Sequence, residues 1–182
     1  MRVIAGTARG IRLEPITGTD IRPTLDRVRE ALFSSLMPYI PGARFLDLYA
    51  GTGANGIEAL SRGADACVFV DHSRAAHRVQ RENLLKARVA QAAQTLTFDI
   101  PEDLKRLRGP FDVIFADPPY EYEGYAGLLE GIAEHALLDA DGVMVIEHRR
   151  RAALPEIAAG LSQTRQKCYG DVALSYYRHA ER

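Results

Sequence analysis

From Arg44 to Gly56 the chain reads Arg44-Phe-Leu-Asp-Leu-Tyr-Ala-Gly51-Thr-Gly53-Ala-Asn-Gly56. An apolar run passes here into closely spaced glycines and then into residues of helical composition. That is the order of a buried strand, a tight turn and a helix whose first amides face the turn. The G-x-G-x-x-G spacing allows a ligand to come close to the backbone, but taken alone it is a weak sign. Asp71 closes the next apolar run, 20 residues after Gly51. A carboxylate at that place accepts both hydroxyls of a ribose, which suits a nicotinamide dinucleotide and S-adenosylmethionine equally.

The same alternation extends outward. Apolar runs recur at Arg44 to Tyr49, Cys67 to Val70, Thr95 to Phe98, Phe111 to Ala116 and Gly142 to Glu147. Segments of helical composition lie between them at 55–61, 73–88, roughly 101–107 and 125–138. Five parallel strands covered by helices are expected, with right-handed crossovers placing helices on both faces. The ends depart from this pattern. Arg2 to Ile16 reads as two extended segments around a glycine turn, a β-hairpin arm. Thr24 is the expected N-cap of a helix that buries Val28, Ala31, Leu32, Ser35 and Leu36 and ends before Pro38. After a short helix near 155–161, the segments 164–169 and 172–178 flank Gly170-Asp171 as an antiparallel hairpin. The fold class is therefore α/β, Rossmann-like, with a mostly parallel seven-stranded sheet and an antiparallel carboxyl-terminal hairpin. Residues 1–20 form the arm and 21–182 the domain.

Of the 182 residues, 47% are hydrophobic and 26% charged, a globular composition that argues against disorder. No apolar run has the roughly 18 residues of a membrane span, and the amino terminus carries arginines where a signal peptide needs an apolar stretch. A cytoplasmic protein is expected. Cys67 and Cys168 stand far apart, as reduced thiols. His72 and His77 do not share a helix face, and His135, His148 and His179 stand alone, so no metal is expected. The net charge of −1 conceals segregation: residues 1–44 carry +3, residues 45–147 carry −8 and residues 148–182 carry +4. An acidic centre flanked by arginines fits contact with phosphate as well as a plain solvated surface.

Asp117-Pro118-Pro119-Tyr120 decides the chemistry. It directly follows an apolar run, at the edge where ligands of open α/β sheets bind. Two prolines cannot extend the strand and hold the backbone extended, so the Asp117 carboxylate and the Pro118 carbonyl can serve as fixed acceptors aimed at one place. An exocyclic amine of a nucleobase satisfies both. Its lone pair is delocalised into the ring, and two acceptors would orient it and favour positive charge developing on nitrogen. Tyr120 would stack on the base. A nicotinamide oxidoreductase has no use for this motif.

The two motifs together resemble the class I S-adenosylmethionine-dependent amino-methyltransferases. Two amino-terminal blocks sharpen the likeness: Arg2-Val-Ile-Ala-Gly-Thr-Ala-Arg-Gly-Ile-Arg-Leu13 and Arg22-Pro-Thr-Leu-Asp-Arg-Val-Arg-Glu-Ala-Leu-Phe33 are similar to the RsmD family of 16S rRNA guanine-N2 methyltransferases. The resemblance implies S-adenosylmethionine as cofactor, S-adenosylhomocysteine as product, and 16S rRNA, within the small subunit or an assembly intermediate, as partner of a monomeric enzyme. It implies that Pro23, Thr24, Asp47, Ala50, Gly51, Thr52, Gly53, Asn55, Gly56, Asp71, His72, Asp99 and Ile100 surround the cofactor, with Asp99 at the adenine amine. Asp117, Pro118, Pro119 and Tyr120 would hold the target guanine for in-line transfer, and Arg2, Arg9, Arg12, Arg27 and Arg29 would contact RNA. The same acceptor pair alone would also suit an adenine amine or a protein glutamine.

Overall fold

The computed structural model of the chain describes residues 1–18 and 23–181, with side chains in all of these except residues 23–25. The elements are α1 (Pro23–Leu36), β1 (Arg44–Leu48), α2 (Ala54–Ser61), β2 (Ala66–Asp71), α3 (Arg74–Ala87), β3 (Ala93–Thr97), β4 (Phe111–Ala116), α4 (Tyr125–Glu134), β5 (Leu138–Arg149), β6 (Ile157–Ala158), β7 (Leu161–Tyr169) and β8 (Val172–His179). They build one sheet in the order β3-β2-β1-β4-β5-β8-β7-β6. The first five strands are parallel, and β8, β7 and β6 close one edge antiparallel.

Alternation along the strands sorts the core into two layers. Phe45, Phe69, Val113, Phe115 and Val145 pack with Leu32 and Phe33 of α1, Ile57 of α2 and Leu84 of α3. Leu46, Leu48, Ile114, Met144 and Ile146 pack on the other face with Leu128, Leu129 and Ile132 of α4. The Phe33 and Phe45 rings stack with centroids 6.2 Å apart, and full burial of such a side chain stabilises by roughly 1.5–3 kcal/mol.

Among the described residues the sheet has eight strands, one more than expected. The extra strand, β6, replaces the helix expected near 155–161. Ala159 (φ 49°) and Gly160 (φ 82°) both lie in the left-handed region between the paired residues Ala158 and Leu161, and two consecutive left-handed residues make a tight hairpin turn. Only one 3-10 turn (Leu104–Arg106) forms in the expected helix 101–107. Helix α4 stops at Glu134, and Leu138 already pairs with Phe111 in the sheet. Helix α1 begins at Pro23, so Thr24 stands in its first turn rather than at the cap. Proline suits that position because the N–H it lacks would have no intrahelical partner. The buried face of α1 includes Val28, Arg29, Leu32, Phe33 and Leu36, rotated towards Arg29 and Phe33 relative to the expected one.

The amino-terminal segment folds back on itself, with the Val3 amide on the Ile11 carbonyl at 2.9 Å and the Leu13 amide on that of Met1 at 3.0 Å. Its ladder is nevertheless a single bridge, Arg2 to Arg12. The reason lies in α2, which takes the other amides. The Glu58 carboxylate accepts from Ile4 (2.9 Å) and Ala5 (3.0 Å), and the Ser61 hydroxyl accepts from Ala8 (2.9 Å). Val3, Ala8 and Leu13 join the core of the α1–α3 face.

Candidate functional site

The chain leaves β1 for β2 on one side and places β4 on the other, so the strand order reverses between β1 and β4. A crevice at such a reversal, outside the carboxyl ends of the strands, is where ligands of open α/β sheets bind. The glycine loop after β1 and the Asp117 loop after β4 both emerge there. The Asp117 amide donates to the Leu48 carbonyl at 3.3 Å, joining the two loops at their roots.

Gly53 is left-handed (φ 81°) and precedes α2 without a side-chain cap. Asp47 supplies a cap from the sheet: its carboxylate accepts the Gly56 amide at 2.9 Å and is buried. That burial raises its pKa, against the lowering effect of the Gly56 bond. Asp47 thus holds the loop from below. Gly56 is needed for packing, since a Cβ there would stand 2.2 Å from the Phe69 ring and 2.7 Å from Cys67 Sγ. Helix α3 fixes the outer side of the loop. Gln80 Nε2 donates to the Gly51 carbonyl (2.9 Å), and Asn83 Nδ2 donates to those of Thr52 and Glu14 (both 3.0 Å). Ala50, Gly51, Thr52 and Asn55 remain partly accessible.

Asp71 ends β2 beside this loop. One oxygen accepts the Gly51 amide and the other the Ser73 amide, each at 2.9 Å. His72 is exposed, its Nδ1 3.6 Å from that carboxylate. Asp99 and Ile100 follow β3 at the same edge. The Phe98 amide reaches the Asp71 carbonyl at 3.2 Å, and Asp99 is exposed. Gly51, Asp71 and Asp99 therefore follow one another along the ends of β1, β2 and β3. Pro23 and Thr24, expected beside the cofactor, lie outside the residues whose side chains are described.

Asp117 opens into the crevice, Pro118 is buried, and Pro119 and Tyr120 are exposed. Asp117 is exposed at the crevice, yet the protein packed near its carboxyl displaces enough water to push it up to about 7. Glu147 comes alongside, because Ile146 is the sheet partner of Ala116. Burial first, and the Asp117 charge second, push Glu147 up to about 8. These values belong to the pair, which gives up its last protons around neutral pH. Below the loop runs an aromatic ladder: Tyr49 on Tyr122 (centroids 5.9 Å), Tyr122 on Tyr125 (5.0 Å) and Tyr125 on His148 (6.1 Å). Tyr49 is left-handed (φ 57°) where β1 enters the glycine loop, an uncommon conformation for an aromatic residue. Arg149 lies over the Tyr120 ring and pairs with Glu121.

Arg2, Arg9, Arg12 and Arg27 are exposed, as contact with RNA requires. Arg29 corrects the expectation, being only 5% exposed. Its Nη2 donates to the Arg2 carbonyl at 2.5 Å and to Asp26 at 2.9 Å, and burial lowers its pKa despite the nearby acids Glu58 and Asp26. The helical repeat puts it on the face of Val28 and Leu32, so it ties α1 to the amino-terminal segment. The Arg149-Arg150-Arg151 run after the fifth apolar run reads equally as an RNA contact or an exposed loop, whereas sequence reasoning missed Gln80, Asn83, Tyr49 and Glu147. The only local signal for any of them was the position of Glu147 at the end of an apolar run, next to the strand that carries Asp117.

The family described as "Conserved hypothetical protein 95" matches residues 1–178. The chain is 41% identical over 182 residues to "Putative rRNA methyltransferase YlbH" of Bacillus subtilis (strain 168), covering 98% of each chain. It is 33% identical over 182 residues to ribosomal RNA small subunit methyltransferase D of Escherichia coli (strain K12), covering 98% of this chain and 89% of that one. The solved structure of "Putative methyltransferase yhhF" from Escherichia coli superposes with a TM-score of 0.87 at 32% identity, over 100% of this chain and 99% of that one.

Proposed function

The chain belongs to the RsmD family of rRNA methyltransferases, and on that premise we propose that it transfers the methyl group of S-adenosylmethionine to the exocyclic N2 of a guanine in 16S rRNA. The observation that carries the choice of acceptor is the Asp117-Pro118-Pro119-Tyr120 loop, rooted beside the glycine loop at the β1/β4 crevice. Residues 1–20 act as an RNA-facing arm of domain 21–182. The enzyme works as a cytoplasmic monomer on the small subunit or its assembly intermediate. Among the described residues no helix is long and apolar enough to cross a membrane.

The residues at the crevice fit the cofactor. Among the described residues no group accepts the Ala54 and Asn55 amides at the start of α2, and a helix N-terminus of this kind suits a carboxylate. A Cβ placed on Gly51 would meet nothing within 4 Å, which leaves room above that backbone. Asp71 gives one lone pair of each oxygen to the Gly51 and Ser73 amides. A carboxylate has about four such sites, so two remain for ribose hydroxyls. Asp99 lies at the adenine end of this line. Bound there, the cofactor supplies a methyl group made electrophilic by its sulfonium.

The chain's own residues do the remainder. Tyr120, exposed at the crevice, stacks on the unstacked base. The ionised Asp117 carboxylate and the Pro118 carbonyl accept hydrogen bonds from the guanine amine. They fix its direction and favour the positive charge that grows on nitrogen as its bond to carbon forms. The proton leaves that nitrogen towards Asp117, whose raised pKa suits it to receive one near neutral pH. Tyr49, Tyr122 and Tyr125 hold the loop in place.

Labelled methyl transfer to undermodified small subunits, naked 16S RNA, duplex DNA and a protein fraction, followed by nucleoside analysis, tests this reading. N2-methylguanosine in the subunit or its RNA is expected. N6-methyladenine or methylglutamine as product would overturn the choice of acceptor. Asp117→Ala should abolish turnover and leave cofactor affinity near wild type, whereas Asp71→Ala should weaken cofactor binding first.

A further inference from the structure

Beside the Asp117 loop, an open cleft of about 560 Å³ is lined by Tyr120, Arg149, Arg150, Arg151 and Asp171. Three guanidinium groups, which stay charged at any physiological pH, meet there with a single lining carboxylate. Arg149 is paired with Glu121, across the Asp117 loop. Arg150 and Arg151 are exposed and have no ionic partner among the described residues. The backbone under them is fixed. The Arg150 amide donates to the Asp171 carbonyl in the β7–β8 turn at 2.8 Å, and the Ala152 amide to the Arg149 carbonyl at 2.9 Å. Arg149 reaches back to the Tyr120 ring, and its Nε is buried without a partner.

Resting on the reading above, we propose that this cleft holds the RNA phosphates next to the target nucleotide, with Arg150 and Arg151 as their ligands and Arg149 as the link to the base site. The proposal follows from adjacency. A base stacked on Tyr120 carries its own phosphodiesters within a nucleotide's length of the ring, and on this side of the ring they meet the uncompensated arginines. Planar guanidinium groups bind phosphate oxygens two at a time, which positions the strand as well as attracting it. Arg149 covers one face of Tyr120. A base that takes that face moves Arg149 aside, freeing its guanidinium from the ring for the same backbone. The exposed arginines of the amino-terminal segment then form a second, separate contact.

The test is an Arg150→Ala, Arg151→Ala double variant of the full chain, compared with wild type on a 16S-derived RNA. Affinity is read by fluorescence anisotropy at a series of salt concentrations, with methyl transfer and S-adenosylhomocysteine calorimetry in parallel. RNA affinity of the variant should fall roughly tenfold at moderate salt, and the slope of log affinity against log salt should become shallower by about 0.7–0.9 for each phosphate that is no longer neutralised. Cofactor affinity should hold. Unchanged RNA affinity and slope would overturn the cleft while leaving the methyltransferase reading intact. Methyl transfer only to protein or DNA would sink the acceptor reading and this cleft's role with it, whatever the salt slope. Wild type that binds polyglutamate as tightly as RNA would overturn the cleft in favour of an acidic polypeptide.

Discussion

Replacing Glu58 by glutamine tests how the amino-terminal segment is held. The Glu58 carboxylate is fully buried and takes three donors: the Ile4 amide at 2.9 Å, the Ala5 amide at 3.0 Å and Arg62 Nε at 2.8 Å. Ala5 and Arg62 share one oxygen and Ile4 has the other. Glutamine keeps the volume but has one acceptor oxygen. With that oxygen placed for Ala5 and Arg62, its NH2 group faces the Ile4 N–H, donor against donor. Leaving that amide unpaired costs about 1–3 kcal/mol, and the two surviving bonds lose their charge assistance at about 1 kcal/mol each. The expected loss is about 3–5 kcal/mol, a large part of the roughly 5–15 kcal/mol that keeps a domain folded. At this chain length each kcal/mol moves the melting temperature by about 2–4 °C. Urea unfolding followed by circular dichroism measures the change, and limited trypsin digestion should release the segment at Arg2, Arg9 and Arg12 faster than in wild type. S-adenosylhomocysteine affinity should stay close to wild type, because the Glu58 carboxylate is turned to the amino-terminal segment and Arg62 and bonds no residue of the glycine loop. A loss below about 1 kcal/mol with unchanged digestion would show that these amides find other partners, and the reasoning would fail.

Gly56→Ala should cost about 1–3 kcal/mol by overpacking against the Phe69 ring. It should also weaken S-adenosylhomocysteine binding in calorimetry, as α2 shifts and carries the Gly51–Gly53 loop with it; wild-type affinity would mean that the loop is independent of α2. Asp117 and Glu147 both have folded pKa values above their unfolded ones. Their contribution to stability is therefore full below about pH 4 and is lost as pH rises through about 7 to 8. The fall in melting temperature between pH 5 and 8 should thus be shallower in Glu147→Gln than in wild type, and identical profiles would refute it. Turnover has the opposite sign, rising with pH over the same range as Asp117 ionises, which a pH profile of kcat reads. Cys67 is buried, with its thiol pKa raised by burial first and by the Asp47 charge second, and Cys168 is exposed. Ellman's reagent should therefore titrate one thiol in the native protein and two after unfolding.

The parallel strands, the glycine loop and the Asp117 loop were legible because each is written in neighbouring residues: apolar runs at strand length, glycines at fixed offsets, two prolines directly after a buried strand. The count of strands was not, since β6 depends on Ala159 and Gly160 both turning left-handed, which an alanine does not announce. Arg29 read as an RNA contact because its chemistry is right, yet the orientation of α1 buries it against the amino-terminal segment.

What the sequence by itself determined is the run of five parallel strands and the residue types at the ends of β1, β2 and β4. Those properties follow from side-chain periodicity, backbone restriction and functional groups within a few residues of one another. Only the tertiary structure decided how the site is held. Asn83 bridges Glu14 and Thr52, Glu58 anchors Ile4 and Ala5, Glu147 comes beside Asp117, and Arg149 reaches Tyr120 and Glu121. Each of these pairings joins residues roughly 28 to 70 positions apart, across strands or between a helix and a loop. Nothing local to either partner specifies them. They exist because burial leaves polar groups without water, and packing settles which group is near enough to replace it.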